Sequence, residues 1–339
     1  MDYRRLGRSG LKVSPLCLGS MMFGGETDEA TSTRIIAQAE AAGVNFIDTA
    51  DAYCGGRSEE VVGRAIADNR DWWVLATKLA NPTGRGPNGR GLSRAWVMRA
   101  CENSLKRLGT EAIDIYYLHK EDHETPLDET VRALADLVRQ GKIRYVGLSN
   151  YRSWRLAEIC RLCEEAGIDR PIVSQPYYNA FNRMPETEHL PACDYFGLGV
   201  VPYSPLARGV LTAKYDPDGP PPNDSRAARQ DRRMIETEWR PESLDMALRI
   251  KAHAERRGAT AVQFACAWVL NNRLVTALIA GPRTEEHWRG YLSALDYRFT
   301  AEDEALVDAM VAPGHPSTPG YNDPQYPIEG RPTWTAAGD

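Results

Sequence analysis

Four titratable residues, Asp48, Tyr53, Lys78 and His119, stand at or just past the ends of apolar runs, and their types suit one kind of chemistry. The runs are VNFIDTAD (44–51), WWVLATKL (72–79) and IDIYYLHK (113–120), rich enough in β-branched and aromatic residues to read as strands. Singly, each residue has a plainer role: an aspartate caps a helix, a tyrosine packs, a lysine is solvated, a histidine is hydrogen-bonded in a core. Converging on one rim they do more. Buried charges are costly unless paired, and Asp48 with Lys78 on adjacent strands would pair. A phenol with a pKa near ~10 is a poor proton donor at neutral pH. A neighbouring ammonium stabilises its anion and should bring the value down toward the working range, which makes Tyr53 the general acid. His119, across the pocket, would hydrogen-bond a substrate oxygen while charge builds on it. Together the four polarise a carbonyl. No Ser/His or Cys/His nucleophile–base pair accompanies them, so the nucleophile is expected to be a hydride from a bound cofactor.

The elements that must position these residues repeat about eight times. Besides the three runs above, VSPLCLGS (13–20), KIRYVGLSN (142–150), PIVSQPYYN (171–179), GLGVVPYSP (197–205) and TALIAGP (276–282) complete a series of parallel strands. Helices are expected near 28–42, 57–68, 93–108, 128–140, 153–166, 186–195, 242–257 with 260–271, and 284–295. No Pro/Gly/Ser-rich linker divides the series, so the reading is one α/β domain over 1–339, a closed (β/α)8 barrel. Reactive groups in such a barrel stand at the C-terminal ends of the strands, where the four residues fall. The opening residues 1–12 should form a hairpin that caps the barrel floor. Two stretches lie outside the repeat: 207–241, expected as a lid over the cofactor, and the Pro/Gly-rich tail 313–339, expected to dock and line the pocket.

Composition narrows the function further. The net charge of −5 comes from 41 basic and 46 acidic residues that are mixed along the chain, which argues against nucleic-acid and membrane partners. No apolar run reaches the roughly 18–20 residues of a spanning helix, and MDYRRLGRSG lacks the apolar core of a secretory signal. Seven cysteines, an odd number thinly spread, read as free thiols, so a cytoplasmic location is expected. Cys160 and Cys163 share a helical face without further ligands, and no metal is expected. Cys54 reads as a small pocket-side residue, and Trp72 and Trp73 as core and barrel floor.

The segments GVNFIDTADAYCGGRSEEVVGRAI (43–66) and MRACENSLKRLGTEAIDIYYLH (98–119) resemble the two signatures of the aldo-keto reductase superfamily. The similarity continues through GKIRYVGLSN, SQPYYN, PYSPLARGVLTAKY and IAGPRT, over roughly residues 3–310, and is strongest to the bacterial branch related to potassium-channel β subunits. The resemblance implies a TIM barrel, NADPH or NADP as cofactor with NADH as a second choice, and a catalytic tetrad at Asp48, Tyr53, Lys78 and His119.

By the same resemblance, Ser149, Asn150 and Gln175 should bond the nicotinamide carboxamide and Tyr203 should stack on the ring. Gly19, Ser20, Met21 and Asp48 should touch the nicotinamide side, and Ser204, Leu206, Arg208, Gly209 and Lys214 the pyrophosphate side. There a glycine admits the backbone to the phosphates while cations offset their charge. Gly281, Arg283, Thr284 and His287 should hold the adenosine 2′-phosphate. His287 stands where the family commonly has Gln or Arg, and Tyr291 where it often has Asn, which leaves the NADP preference open. No G-x-G-x-x-G follows the first strand, so a Rossmann site is not supported.

Substrate selectivity is assigned to Met22, Phe23, Tyr53, His119, Trp154 and the tail from Pro313 to Pro332. These suit medium-sized apolar or aromatic carbonyls as well as sugars. Two alternatives stand beside a carbonyl reductase: a cofactor-sensing binding module with little turnover, and a polyol or sugar dehydrogenase working oxidatively. The outer helices are compatible with a monomer or a homo-oligomer.

Overall fold

The chain opens with a two-stranded hairpin, β1 (Arg4–Arg5) antiparallel to β2 (Lys12–Val13), with Arg4 opposite Val13. The eight apolar runs follow as parallel strands: β3 (Leu16–Gly19), β4 (Phe46–Asp48), β5 (Val74–Leu79), β6 (Ile113–Leu118), β7 (Ile143–Ser149), β8 (Val173–Gln175), β9 (Gly199–Val200) and β10 (Leu278–Ala280). In this computed structural model, which describes residues 1–223 and 225–328, β3 to β9 pair each with the next, and β10 pairs with β3 through Leu278 and Leu16. Backbone bonds from Thr276 N to Val200 O (2.8 Å) and from Ile279 N to Pro202 O (2.9 Å) join β9 to β10 and close the ring. The expected (β/α)8 barrel is the observed fold.

Helices α1 (Glu29–Ala41), α2 (Arg57–Ala65), α3 (Arg94–Leu108), α4 (Leu127–Arg139), α5 (Ser153–Glu165) and α6 (His189–Phe196) fill the first crossovers. Helices α7 (Arg232–Thr237), α8 (Pro241–Arg256) and α9 (Ala261–Asn271) lie between β9 and β10, and α10 (Glu285–Leu292) and α11 (Ala301–Met310) follow the last strand. The starts were legible because short polar side chains accept the orphan N–H groups: Asp28 from Thr31, Ser93 from Trp96, Thr260 from Gln263. Gly63 permits the close approach of α2 to α3, since a Cβ there would sit 2.3 Å from the carbonyl oxygen of Leu108.

Side chains pack in two shells. Inside the ring, Cys17, Phe46, Val74, Ala76, Ile115, Tyr117, Val173, Val201, Ala277 and Ile279 form one cluster, sealed below by Leu6 and Val13 of the hairpin. The larger shell lies between strands and helices, with Leu75, Tyr116, Leu134, Phe264 and Trp288 among its fully buried members. Trp73 joins this outer shell, whereas Trp72 departs from the core expected of it: it ends a short 3-10 turn, 41% exposed, its indole donating to Val44 O. No helix among the described residues is long and apolar enough to cross a membrane.

The described residues of both stretches outside the repeat are built into the fold. Segment 207–241 begins with a 3-10 turn at Ala207–Thr212, continues into α7, and is tied by Arg226 to Asp231 and by Arg229 to Glu26. The tail docks through Ser317 N to Phe181 O (2.8 Å) and Arg183 N to His315 O (3.0 Å). A bidentate Arg233–Asp323 pair then joins segment 207–241 to the tail. The tail beyond residue 328, Pro332 included, lies outside the described residues.

Helix α11 has no counterpart among the helices expected from sequence. Its signal is a capping box in which Thr300 and Asp303 bond each other's backbone. Asp303 is fully enclosed, and Arg257, His253 and Tyr297 also donate to it. Burial alone would raise its pKa, but the donors from Arg257, His253 and Thr300 outweigh it and hold the carboxyl at about 2. Asp303→Ala should therefore cost about 2 kcal/mol of stability at neutral pH, from a lost cap and lost charged hydrogen bonds. A depressed carboxylate stabilises above its unfolded pKa and stops doing so as pH falls through the folded one. The penalty should shrink between about pH 4 and about pH 2, which urea titrations across that range would measure.

Candidate active site

The C-terminal ends of β4, β5 and β6 bring the four sequence-derived residues together. Asp48 is the last residue of β4, Lys78 the penultimate residue of β5, and His119 follows Leu118 at the end of β6. Tyr53 opens the 3-10 turn Tyr53–Gly56 that leads into α2, and Cys54 (φ 50°) beside it takes a left-handed conformation. Cys54 points its thiol at Met21 O rather than lining the cavity, and desolvation pushes that thiol up.

Lys78 is completely buried and is the hub. Its ammonium donates to an Asp48 carboxylate oxygen, to Thr49 O (2.8 Å) and to the Tyr53 hydroxyl (3.1 Å), and lies 4.7 Å from the Tyr53 ring centre. Burial pushes the ammonium down, but Asp48 and Tyr53 outweigh it and hold Lys78 up at about 12. Asp48 also accepts from Gln175 Nε2 at 3.1 Å. The pair is thus a permanent dipole beneath the phenol, with the cation toward Tyr53.

One expectation is corrected here. Lys78 does pull the Tyr53 pKa down, but desolvation of a buried phenolate is larger, with Asp48 and Asp51 adding to it, so the net direction is upward. Tyr53 is a neutral phenol at all working pH values, and Lys78 acts on charge that develops during proton donation. Asp51, pushed to about 7 by burial and by Glu59, lies just behind, bonded by Thr83.

His119 meets Tyr53 edge to face, ring centres 5.8 Å apart at 81°. Burial, with Lys78 and Lys120 adding to it, drives its pKa well below the usual imidazole range, so the ring is neutral. A neutral imidazole and a neutral phenol, both protonated on a nitrogen or oxygen, are suited to sharing one oxygen acceptor between them.

These groups open into a cavity of about 970 Å³ at the barrel mouth, the upper end of the range for small-molecule sites. Gly19, Met21, Asp48, Ser149, Asn150 and Gln175 line it near the tetrad, and Tyr203, Ser204, Leu206, Arg208, Gly209 and Lys214 continue along one wall. Gly281, Arg283, His287 and Tyr291 form the far end. Gly209 (φ 103°) needs its glycine, because the turn at Arg208–Gly209 runs through left-handed conformations. Tyr203 stacks on Tyr177 (5.7 Å) and donates to Asn150 Oδ1 at 2.8 Å, while Asn150 Nδ2 donates to His119 O. The far end is strongly cationic: desolvation lowers the Lys214 pKa, and Arg283, Arg226 and Arg229 lower it further. His287 is lowered by desolvation and then by Arg283 and Lys214.

Four assigned contacts fall elsewhere. Ser20 is fully buried and bonds Asp48 O and the Ser58 hydroxyl, bracing β4 from behind. Thr284 caps α10 by accepting from His287 N and does not line the cavity. Phe23 is fully buried in the outer shell, because the chain turns back after Met22 and leaves only Met21 and Met22 on the rim. Trp154 is 63% exposed on the first turn of α5, its indole under Arg155. Gln325 and Tyr326 line the cavity from within the tail expected to reach it, whereas Asn81, Lys120, Arg226 and Arg233 line it without having been singled out from sequence. Asn81, Lys120 and Arg226 sit in polar loop stretches and Arg233 on the short helix α7, with no periodicity to mark them.

The four residues thus share the C-terminal rim of the barrel, where sites of this fold lie, and comparison with known proteins shows the family. The model of the Aldo/keto reductase family matches residues 15–312, and the chain belongs to that family. It is 36% identical over 329 residues to a probable voltage-gated potassium channel subunit beta of Oryza sativa subsp. japonica, covering 95% of this chain and 100% of the relative. It is also 36% identical over 334 residues to the uncharacterized oxidoreductase YrpG of Bacillus subtilis (95% and 99% covered). Identity to the L-glyceraldehyde 3-phosphate reductase of Escherichia coli K12 is 33% over 329 residues, 93% of each chain.

Proposed function

We propose that this protein is an NADPH-dependent reductase of aldehydes or ketones with Tyr53 as general acid. The observation that carries the reading is the Lys78 ammonium, bonded at once to Asp48 and to the Tyr53 hydroxyl (3.1 Å), beneath a cavity into which both Tyr53 and His119 open.

The residues present fit a nicotinamide dinucleotide phosphate. The far end of the cavity concentrates Lys214, Arg226 and Arg283, with Glu26 and Asp231 as acidic partners, an excess of positive charge that suits phosphates. Ser149, Asn150 and Gln175 would hold the carboxamide at the other end, with the Tyr203 ring beside it. The reduced nicotinamide, when bound, supplies the hydride.

The chain's own groups do the rest. Tyr53 and the neutral His119 would bind the carbonyl oxygen from two sides, orienting the carbon toward the nicotinamide. As negative charge grows on that oxygen, Tyr53 gives up its proton, and Lys78 stabilises the tyrosinate left behind. Asp48 and Gln175 keep Lys78 charged and fixed. Met22, Tyr326 and the lid residue Arg233 shape the remaining volume.

Two measurements test this. Fluorescence titration with NADPH and NADH reports cofactor binding, and an absorbance assay with aldehydes, ketones and aldoses reports turnover. Binding with turnover upholds the reading; tight binding without turnover of any panel member would favour the sensing role that the channel-subunit relatives bring to mind. Arg283→Ala is expected to weaken NADPH by roughly 10- to 100-fold, the worth of a charge-assisted hydrogen bond to phosphate, and NADH far less. Equal weakening of the two would remove Arg283 from the 2′-phosphate.

A further inference from the structure

The end of β5 carries a feature that the tetrad does not account for. The loop from Ala80 to Ser93 leaves the barrel through Ala80, a buried alanine at φ 125°, a backbone conformation that L-residues rarely adopt. The bend is clamped on both sides, by His119 N to Leu79 O (2.9 Å) and by Gly91 N to Ala80 O (2.9 Å). Strain of this kind persists only where surrounding contacts enforce it, and it gathers at functional sites. What it delivers is Asn81, whose side chain lines the cavity with Nδ2 at 3.1 Å from Nδ1 of His119. Among the described residues Asn81 is the one side chain hydrogen-bonded to that ring.

We propose that Asn81 is a positioning residue that fixes His119 in the tautomer protonated on Nε2. An amide NH2 only donates, so the ring nitrogen facing it must accept, and the ring proton then sits on the other nitrogen. Burial, with the Lys78 and Lys120 ammonium groups adding to it, keeps the imidazole neutral, and neither ammonium has a lone pair to offer the ring. The Nε2–H is thereby available to a carbonyl oxygen in the cavity. The opposite amide orientation, Oδ1 toward an Nδ1–H, would leave a bare lone pair facing an oxygen acceptor and would repel it. This inference rests on the reading of His119 as the substrate-oxygen donor, while its test on the ring itself needs no substrate.

The experiment is nitrogen-15 NMR of the full chain labelled in histidine, with His119→Gln to identify the His119 signals, compared with Asn81→Leu and the isosteric Asn81→Asp. Wild type is expected to show a neutral ring protonated on Nε2 across neutral pH. Asn81→Leu should give mixed tautomers, and Asn81→Asp should draw a proton to Nδ1. In turnover assays kcat should fall roughly 10- to 100-fold in Asn81→Leu, as for other orienting partners of a functional histidine, with the NADPH dissociation constant unchanged. A wild-type ring protonated on Nδ1, or an Asn81→Leu protein that keeps the Nε2–H tautomer, would overturn the proposal. Absence of turnover with every carbonyl, alongside the expected tautomers, would instead overturn the reductase reading and leave the role of Asn81 standing.

Discussion

Tyr53→Phe is expected to lower carbonyl turnover by ~10²- to 10⁴-fold, the range over which positioned proton donors contribute, while leaving NADPH affinity unchanged. The substitution removes one oxygen atom. That oxygen receives a hydrogen bond from the buried Lys78 ammonium (3.1 Å), so its loss also frees one ammonium donor. Lys78 retains Asp48 and Thr49 O, which limits the structural cost. The ring keeps its edge-to-face contact with His119, so the cavity should hold its shape. A fall in kcat with little change in KM would place the loss in the transition state. Turnover near that of wild type would mean that another group donates the proton, and the assignment would fail.

Lys78→Met should be nearly as damaging to activity and more damaging to stability. The methionine fills much of the volume but leaves Asp48 buried, with Gln175 as its remaining side-chain donor. Removing one partner of a buried ion pair typically costs about 3–5 kcal/mol, because the surviving charge stays desolvated. The sign of the pH dependence follows. Burial is the largest influence on Asp48 and raises its pKa; Lys78 is the main force opposing that rise. Without Lys78 the folded pKa climbs further above the unfolded value. The folded state then binds the proton more tightly, so stability is lost as pH rises from about 4 through the folded pKa and regained on acidification. The deficit in Lys78→Met should therefore narrow from pH 8 to pH 5 in urea unfolding, and Asp48→Asn combined with it should restore part of the stability but none of the turnover. A variant with wild-type stability and a pH-independent difference would show that the ion pair is not the hub the geometry makes it.

Much of the fold was legible because barrel strands are buried on both faces and so read as largely apolar runs. The observed β5, Val74–Leu79, and β6, Ile113–Leu118, lie within the runs read from sequence. Helix starts such as Asp28 and Thr260 were legible because capping is local. Helix α11 escaped because its capping box uses Asp303 where glutamate or glutamine is the stronger signal.

At the site, residue type and position at a strand end sufficed for Asp48, Lys78 and His119, since in a closed barrel those ends share one rim. Which neighbour faces the rim was not readable once the strand had ended. Alternation stops there, and Ser20 and Phe23 turned inward while Met21 and Met22 turned to the cavity. The sequence by itself therefore determined the barrel and the gathering of Asp48, Lys78 and His119 on one rim, which follow from local pattern and strand order, while Lys214 and Arg283 at the far wall were legible through the family resemblance. The tertiary structure alone decided the rest. Within the tail expected at the pocket it is Tyr326 and Gln325 that reach the cavity, and Asn81 reaches His119 across a strained bend. The Tyr53 phenol stays protonated despite Lys78 because desolvation depends on everything packed around it, a sum over contacts distant in the chain that no local motif records.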